Sequence, residues 1–272
     1  MKVVFHFDGS AALLEREILC PESDAAGFDR LLPEVEVLWH VLKPVTAEVI
    51  AKAPKLKLIQ KIGSGVNTID VNAAKRRGIA VCNLPGTNSR AVAEMTLLLM
   101  LGCLRRLPGE LGGRVVGLVG YGAVPKILHP ILESLGAKVL YWSRSRKNAE
   151  LAEVLQCDVV SLHLPLTKET ERLVDPRRLK RGAILINTAR GGLVQEEHLA
   201  DCLKSGHLAA AGLDVLTVEP AEPGNPLLSL PNAICTPHIA WLTGETLERS
   251  IAVARENVRR LEAGEALLHR VA

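Results

Sequence analysis

The chain has 272 residues, enough for two domains with separate cores, and 48% of them are hydrophobic while only 3% are aromatic. Cores of that kind are built from Leu, Val, Ile and Ala, the usual makeup of parallel sheets with helices on both faces. A formal net charge of +3 without a long Lys/Arg run gives no footing for nucleic-acid binding and leaves anionic small molecules compatible.

Met1-Lys2 leads directly into a strand-like run at residues 3–7, without a long apolar core or cleavage site, which argues against a signal peptide. Further strands are predicted near 34–41, 56–62 and 79–83, with helices between them. Residues 90–106 form a long apolar helix, whose apolar stretch at 95–104 is too short to span a bilayer. A second series of strands follows near 114–120, 138–143, 158–164, 183–188, 208–214 and 233–236, and a last helix covers 245–263. Strands separated by crossovers in this way predict an α/β protein whose second part is a Rossmann-type, doubly wound parallel sheet. The six cysteines (Cys20, Cys82, Cys103, Cys157, Cys202, Cys235) contain no C-x-x-C pair and read as buried hydrophobes of a reducing, cytoplasmic compartment. The eight histidines show no H-x-H or H-x-x-x-H spacing, so no metal site is expected.

Residues 117–125 (GLVGYGAVP) run from a strand into an amphipathic helix at 124–135. Gly120 permits the tight turn, and Gly122 lets a pyrophosphate approach backbone amides at the helix N-terminus. The third glycine of G-x-G-x-x-G is replaced by Pro125, which a first helical turn tolerates, so the helix must pack slightly differently. The next strand ends in Ser143, Arg144, Ser145, Arg146 and Lys147, where an NAD enzyme usually carries an acid for the ribose 2′-hydroxyl. Without a carboxylate to repel a 2′-phosphate, Ser143, Arg144 and Arg146 favour NADP(H), with NAD(H) possible. In the first domain, residues 61–70 (KIGSGVNTID) form a small loop whose amides at Ser64, Gly65 and Val66 suit a substrate carboxylate, followed by Asp70 as a helix cap.

Residues 186–194 (INTARGGLV) place Arg190 beyond a buried strand, the position where open α/β sheets bind ligands. Its permanently charged fork of donors suits a planar carboxylate. Residues 212–220 (GLDVLTVEP) place Glu219 past the next strand, and residues 236–241 (TPHIAW) place His238 past the one after. An Arg, a Glu and a His in this order resemble the D-isomer-specific 2-hydroxyacid dehydrogenase family, of the glyoxylate/hydroxypyruvate reductase kind.

That resemblance implies catalysis by Arg190, Glu219 and His238: Arg190 binds and polarises a 2-oxo acid, His238 exchanges a proton with its oxygen, and Glu219 orients the imidazole. It extends the cofactor set to Ala123, Val124, His163, Pro165, Thr188, Asp214 and Val92, with Asp214 on the nicotinamide carboxamide and Val92 beside the ring. Ser64, Gly65, Val66, Arg190 and Trp241 are the implied substrate contacts. It also implies a smaller flavodoxin-like substrate domain made of residues 1–89 and 246–272 around a dinucleotide domain at 90–245. A homodimer is implied too, although residues 107–113 leave no room for the helical arm that relatives use for it, and 147–157 is short as well. Glyoxylate or hydroxypyruvate with NADPH is the expected substrate pair. An NAD-dependent dehydrogenase of a bulkier acid such as phenyllactate, and a non-catalytic NAD(P)H-sensing protein, stand as alternatives. The intact trio argues against the last.

Overall fold

Runs such as Val-Leu-Trp-His and Ile-Leu-Ile-Asn are buried along their whole length. The computed structural model, which describes residues 1–272, makes them interior strands of two all-parallel sheets. The chain divides into two units, Met1–Asn88 with Thr243–Ala272, and Ser89–Leu242.

The first unit contains β1 (Val3–His6), β2 (Ile18–Cys20), α1 (Ala25–Leu31), β3 (Val37–His40), α2 (Ala47–Ala51), β4 (Leu58–Lys61), α3 (Val71–Arg76) and β5 (Ala80–Cys82). Its sheet order is β2-β1-β3-β4-β5, the flavodoxin-like order. Val4, Leu38, Ile59 and Val81 line one sheet face and form the core of this unit with Phe28, Leu32 and Ile50. Asp70 caps α3 by accepting from the Ala73 amide at 2.8 Å. β2 was not expected from the sequence: it is a three-residue edge strand flanked by charged residues.

The second unit contains α4 (Ser89–Arg106), β6 (Val115–Val119), α5 (Ala123–Ser134), β7 (Lys138–Trp142), α6 (Leu151–Val154), β8 (Val159–Leu162), β9 (Ile184–Asn187), α7 (Glu196–Lys204), β10 (Ala210–Leu213) and β11 (Ala233–Cys235). The strand order β11-β10-β9-β8-β6-β7 reverses direction between β6 and β8. Such a switch point opens a crevice at the carboxyl ends of the strands. Gly212 in β10 lets α4 sit close, because a Cβ there would lie 2.9 Å from Leu99 Cβ.

The last helix, α8 (Gly244–Ala263), belongs to the first unit. Thr243 caps its start, accepting from the Thr246 amide, and Gly264 ends it at φ 68° in the left-handed conformation usual after a helix. The buried Asn257 donates to Gln60 Oε1 at 2.7 Å, and Val271 and Ala272 hydrogen-bond Val81 beyond β5. No helix is long and apolar enough to cross a membrane.

Candidate active site

β9, β10 and β11 are neighbours in register, so the segments after them leave the sheet side by side. The first carries Arg190. Asn187, the buried last residue of β9, shapes this loop: its amide nitrogen donates to the Arg190 carbonyl at 2.9 Å and its oxygen accepts from the Ala189 amide at 3.1 Å. The next residue, Gly191, touches the backbone of the following strand end, where a Cβ would fall 2.0 Å from the Leu216 carbonyl carbon. Only glycine fits there. Burial pulls the Arg190 guanidinium below its ordinary pKa, and the Glu219 charge acts in the opposite direction.

Glu219 and His238 meet. His238 Nδ1 lies 2.7 Å from Glu219 Oε2, with 18% of the imidazole and 34% of the carboxylate side chain exposed. The other carboxylate oxygen accepts from the Leu216 amide at 3.1 Å, which fixes the carboxylate's plane. Glu196 holds the same loop from α7, accepting from the Thr217 amide at 2.7 Å and the Asn225 side chain at 2.9 Å. A hydrogen bond from Nδ1–H to a carboxylate fixes the tautomer and leaves Nε2 as the ring atom open to a ligand. Trp241 is buried at 8% exposure, and its indole N–H donates to the His238 carbonyl at 3.1 Å.

Toward the opposite edge of this sheet, Gly120 adopts φ 102°, and a Cβ there would lie 2.4 Å from the His163 carbonyl oxygen. Gly120 is therefore required by the chain itself. Gly122 is not: its φ is ordinary and a Cβ would meet nothing within 4 Å. The open space lies at the N-terminus of α5, a site made for anions, where Ala123 and Val124 form the first turn and no side chain caps the helix. A dinucleotide pyrophosphate fits that cradle. Tyr121, between the two glycines, stacks on Tyr141 at 3.9 Å between ring centroids and bonds His129 Nδ1 through its hydroxyl at 2.6 Å.

The turn after β7 carries the cations. Ser143 closes it, accepting from the Arg146 amide at 3.0 Å and donating to the Arg146 carbonyl at 2.6 Å. Arg144 and Arg146 are exposed and form no salt bridge, whereas Lys147 pairs with Glu150. His163, after β8, bonds the buried Ser161 hydroxyl, and burial pulls its pKa well below the usual value; Pro165 is exposed.

Thr188 directly follows β9. The Thr96 hydroxyl donates to the Val92 carbonyl at 2.7 Å, so it must accept from Thr188 at 2.8 Å. The Thr188 oxygen is thereby left with lone pairs only. Asp214 is 1% exposed, and its carboxylate accepts three hydrogen bonds from the chain. No group of three His, Cys, Asp or Glu side chains is placed to hold a metal.

In the first unit, the loop after β4 is braced by Asn83, whose side chain donates to the Ser64 carbonyl at 2.7 Å. The amides of Ser64, Gly65 and Val66 donate to no backbone carbonyl. Sequence reasoning missed Asn187, Glu196 and Thr96. A buried Asn at a strand's last position and a Thr inside an apolar helix were the available signals.

The model of the D-isomer specific 2-hydroxyacid dehydrogenase NAD binding domain matches residues 99–240. D-3-phosphoglycerate dehydrogenase of Mycobacterium tuberculosis is 35% identical over 89% of this chain and 52% of its own length, so the chain spans about half the length of that relative. Hydroxypyruvate reductase of Thermotoga maritima is 35% identical over 86% of this chain and 87% of its own. The crystal structure of TT0316 protein from Thermus thermophilus superimposes with a TM-score of 0.90 at 35% identity, covering 100% of both chains.

Proposed function

Because this chain belongs to the D-isomer specific 2-hydroxyacid dehydrogenase family, we propose that it is an oxidoreductase that reduces glyoxylate or hydroxypyruvate with NADPH. The observation that carries the chemistry is the 2.7 Å bond between His238 Nδ1 and Glu219, made beside the Arg190 loop. In this reading Arg190 takes the substrate carboxylate with its planar fork and stabilises the oxyanion that develops on the 2-oxo group. His238 donates a proton from Nε2 to that oxygen in reduction and recovers it in oxidation. Glu219 keeps the ring oriented for this step. The bound nicotinamide supplies the hydride. In the first unit, the amides of Ser64, Gly65 and Val66 are assigned to a substrate carboxylate.

The second unit is assigned the dinucleotide, with its pyrophosphate at Gly120, Gly122, Ala123 and Val124 and its adenosine side along His163 and Pro165. Val92, Thr188 and the remaining lone pair of Asp214 are assigned to the nicotinamide end. NADPH is favoured by the unpaired Arg144 and Arg146 and by the absence of a carboxylate after β7. Hydroxypyruvate is supported by a relative matched along nearly its whole length. Six free cysteines suit a reducing, cytoplasmic compartment. The test is oxidation of NADPH and NADH against a panel of 2-oxo acids. Turnover with glyoxylate or hydroxypyruvate, faster with NADPH, is the expected outcome; no turnover with any 2-oxo acid overturns the reading.

A further inference from the structure

His238 lies at φ 55°, in the left-handed region that residues with a side chain seldom occupy. A residue stays there only when the groups around it over-determine its backbone. Those groups come from Asp214, the first residue after β10. Its Oδ1 accepts from the Thr236 hydroxyl at 2.6 Å and the Ile239 amide at 2.9 Å, and its Oδ2 accepts from the Ala240 amide at 2.9 Å. Its own carbonyl accepts from the His238 amide at 2.8 Å. The three carboxylate donors thus flank His238, one before it and two after it. From outside the turn, the Trp241 indole holds the His238 carbonyl.

We infer that Asp214 is the positioning residue of His238: its buried carboxylate fixes the 236–240 turn and so sets the aim of the imidazole. This rests on the reading of His238 as the acid–base group, and it gives Asp214 a task separate from any cofactor contact. The chemistry of the donors explains why the residue is an acid. Three donors need three acceptor lone pairs, which a carboxylate has and a side-chain amide lacks on its nitrogen. In Asp214→Asn an NH2 group would face either the Ala240 amide or the Ile239 amide, donor against donor, and the turn would open. Burial raises the Asp214 pKa, while the three hydrogen bonds and the His238 charge act against it.

A double-mutant cycle on the whole enzyme tests this. Asp214→Asn should lower kcat by about tenfold to a hundredfold, the loss that a displacement near 1 Å brings. In a His238→Ala background the same change should lower kcat by less than about threefold, because the group that it positions is already gone. Equal losses in both backgrounds would mean that Asp214 acts through the cofactor or the general fold, and would overturn the inference. Thr236→Val removes one donor and keeps the carboxylate; it should show the same dependence on His238 at smaller size, and it carries the cycle if Asp214→Asn does not fold. An independent readout is the ¹H–¹⁵N spectrum of the His238 ring. Both variants should weaken its Nδ1 bond to Glu219, and an unchanged ring spectrum would overturn the proposal. A wild type that turns over no 2-oxo acid defeats the proposed function instead, and the ring spectrum then still decides whether Asp214 holds His238.

Discussion

The turn at 236–241 and the turn at 143–147 both follow strands of one parallel sheet, and they treat their polar groups in opposite ways. In the first, a buried carboxylate and a buried indole fix the backbone on both sides of His238, and Glu219 fixes the ring. In the second, one serine hydroxyl closes the turn, and two guanidinium groups are left in solvent. The difference fits the two tasks proposed for them. Proton transfer depends on sub-ångström placement, which requires satisfied, buried partners. Attraction of a phosphate depends on charge, which works from flexible side chains and is screened by salt.

The strongest way to break this comparison is to remove the side chain that the fixed turn presents. His238→Ala should cut turnover by roughly two to four orders of magnitude, the usual contribution of a positioned acid–base group, with NADPH affinity nearly unchanged. Stopped-flow turnover and fluorescence titration measure the two quantities, and near-normal turnover would deprive the fixed turn of its purpose.

The exposed turn should answer to charge instead. One charge-assisted bond is worth roughly 1.5–3 kcal/mol, so Arg144→Ala should weaken NADPH binding by about tenfold to a hundredfold and leave NADH nearly unaffected. Ser143→Asp adds a repulsive carboxylate beside the 2′-position and should reverse the order of the two cofactors. Equal wild-type dissociation constants for NADPH and NADH would reduce this turn to a solvated surface.

Salt separates the two turns more finely. Raising ionic strength from about 0.05 to 0.5 M should narrow the NADPH preference several-fold, because the Debye length shortens across that range. The fold-loss from His238→Ala at saturating cofactor should stay constant. A loss that tracks salt would place the fixed turn with the exposed one.

The smallest expected effect asks whether a buried carboxylate elsewhere obeys the same logic. Burial works against ionisation of Glu17, but the Arg255 hydrogen bonds and nearby backbone amides outweigh it and bring its pKa down to about 2 from the usual 4.5. A depressed folded pKa stabilises the fold above the unfolded value. That contribution is lost as pH falls from about 4.5 toward 2. Glu17→Gln should therefore give a shallower acid limb in a circular-dichroism titration, and an unchanged limb would remove Glu17 from the list of acid-sensitive contacts.

The strands other than β2 were legible because buried parallel strands are mostly apolar runs, as in Val-Val-Ser-Leu of β8 and Ile-Leu-Ile-Asn of β9. β2 was hidden because its Ile-Leu-Cys is short, lies at an edge and stands among charged residues. Arg190, Glu219 and His238 stood out because each lies in the segment after a strand end, in three consecutive strands. What holds them was not readable. Thr96 and Thr188 are 92 residues apart, and the Asp214 carboxylate meets donors 22 to 26 residues away. No local pattern marks such pairs. The Ser143 closure was closer to hand, since a serine followed by polar residues often caps its own turn.

The placement of α8 with the first 88 residues also orders events during synthesis. A ribosome releases β1 to β5, then every strand of the second unit, and only afterwards the helix that carries Asn257 to Gln60 and the tail that pairs with Val81. Domains fold largely as units while the chain emerges. The second unit therefore has all of its parts before the first, although it starts later. Until residues 257–272 emerge, Gln60 lacks its Asn257 partner and β5 lacks the tail that hydrogen-bonds Val81, so the nascent first unit stays incomplete longer than the second.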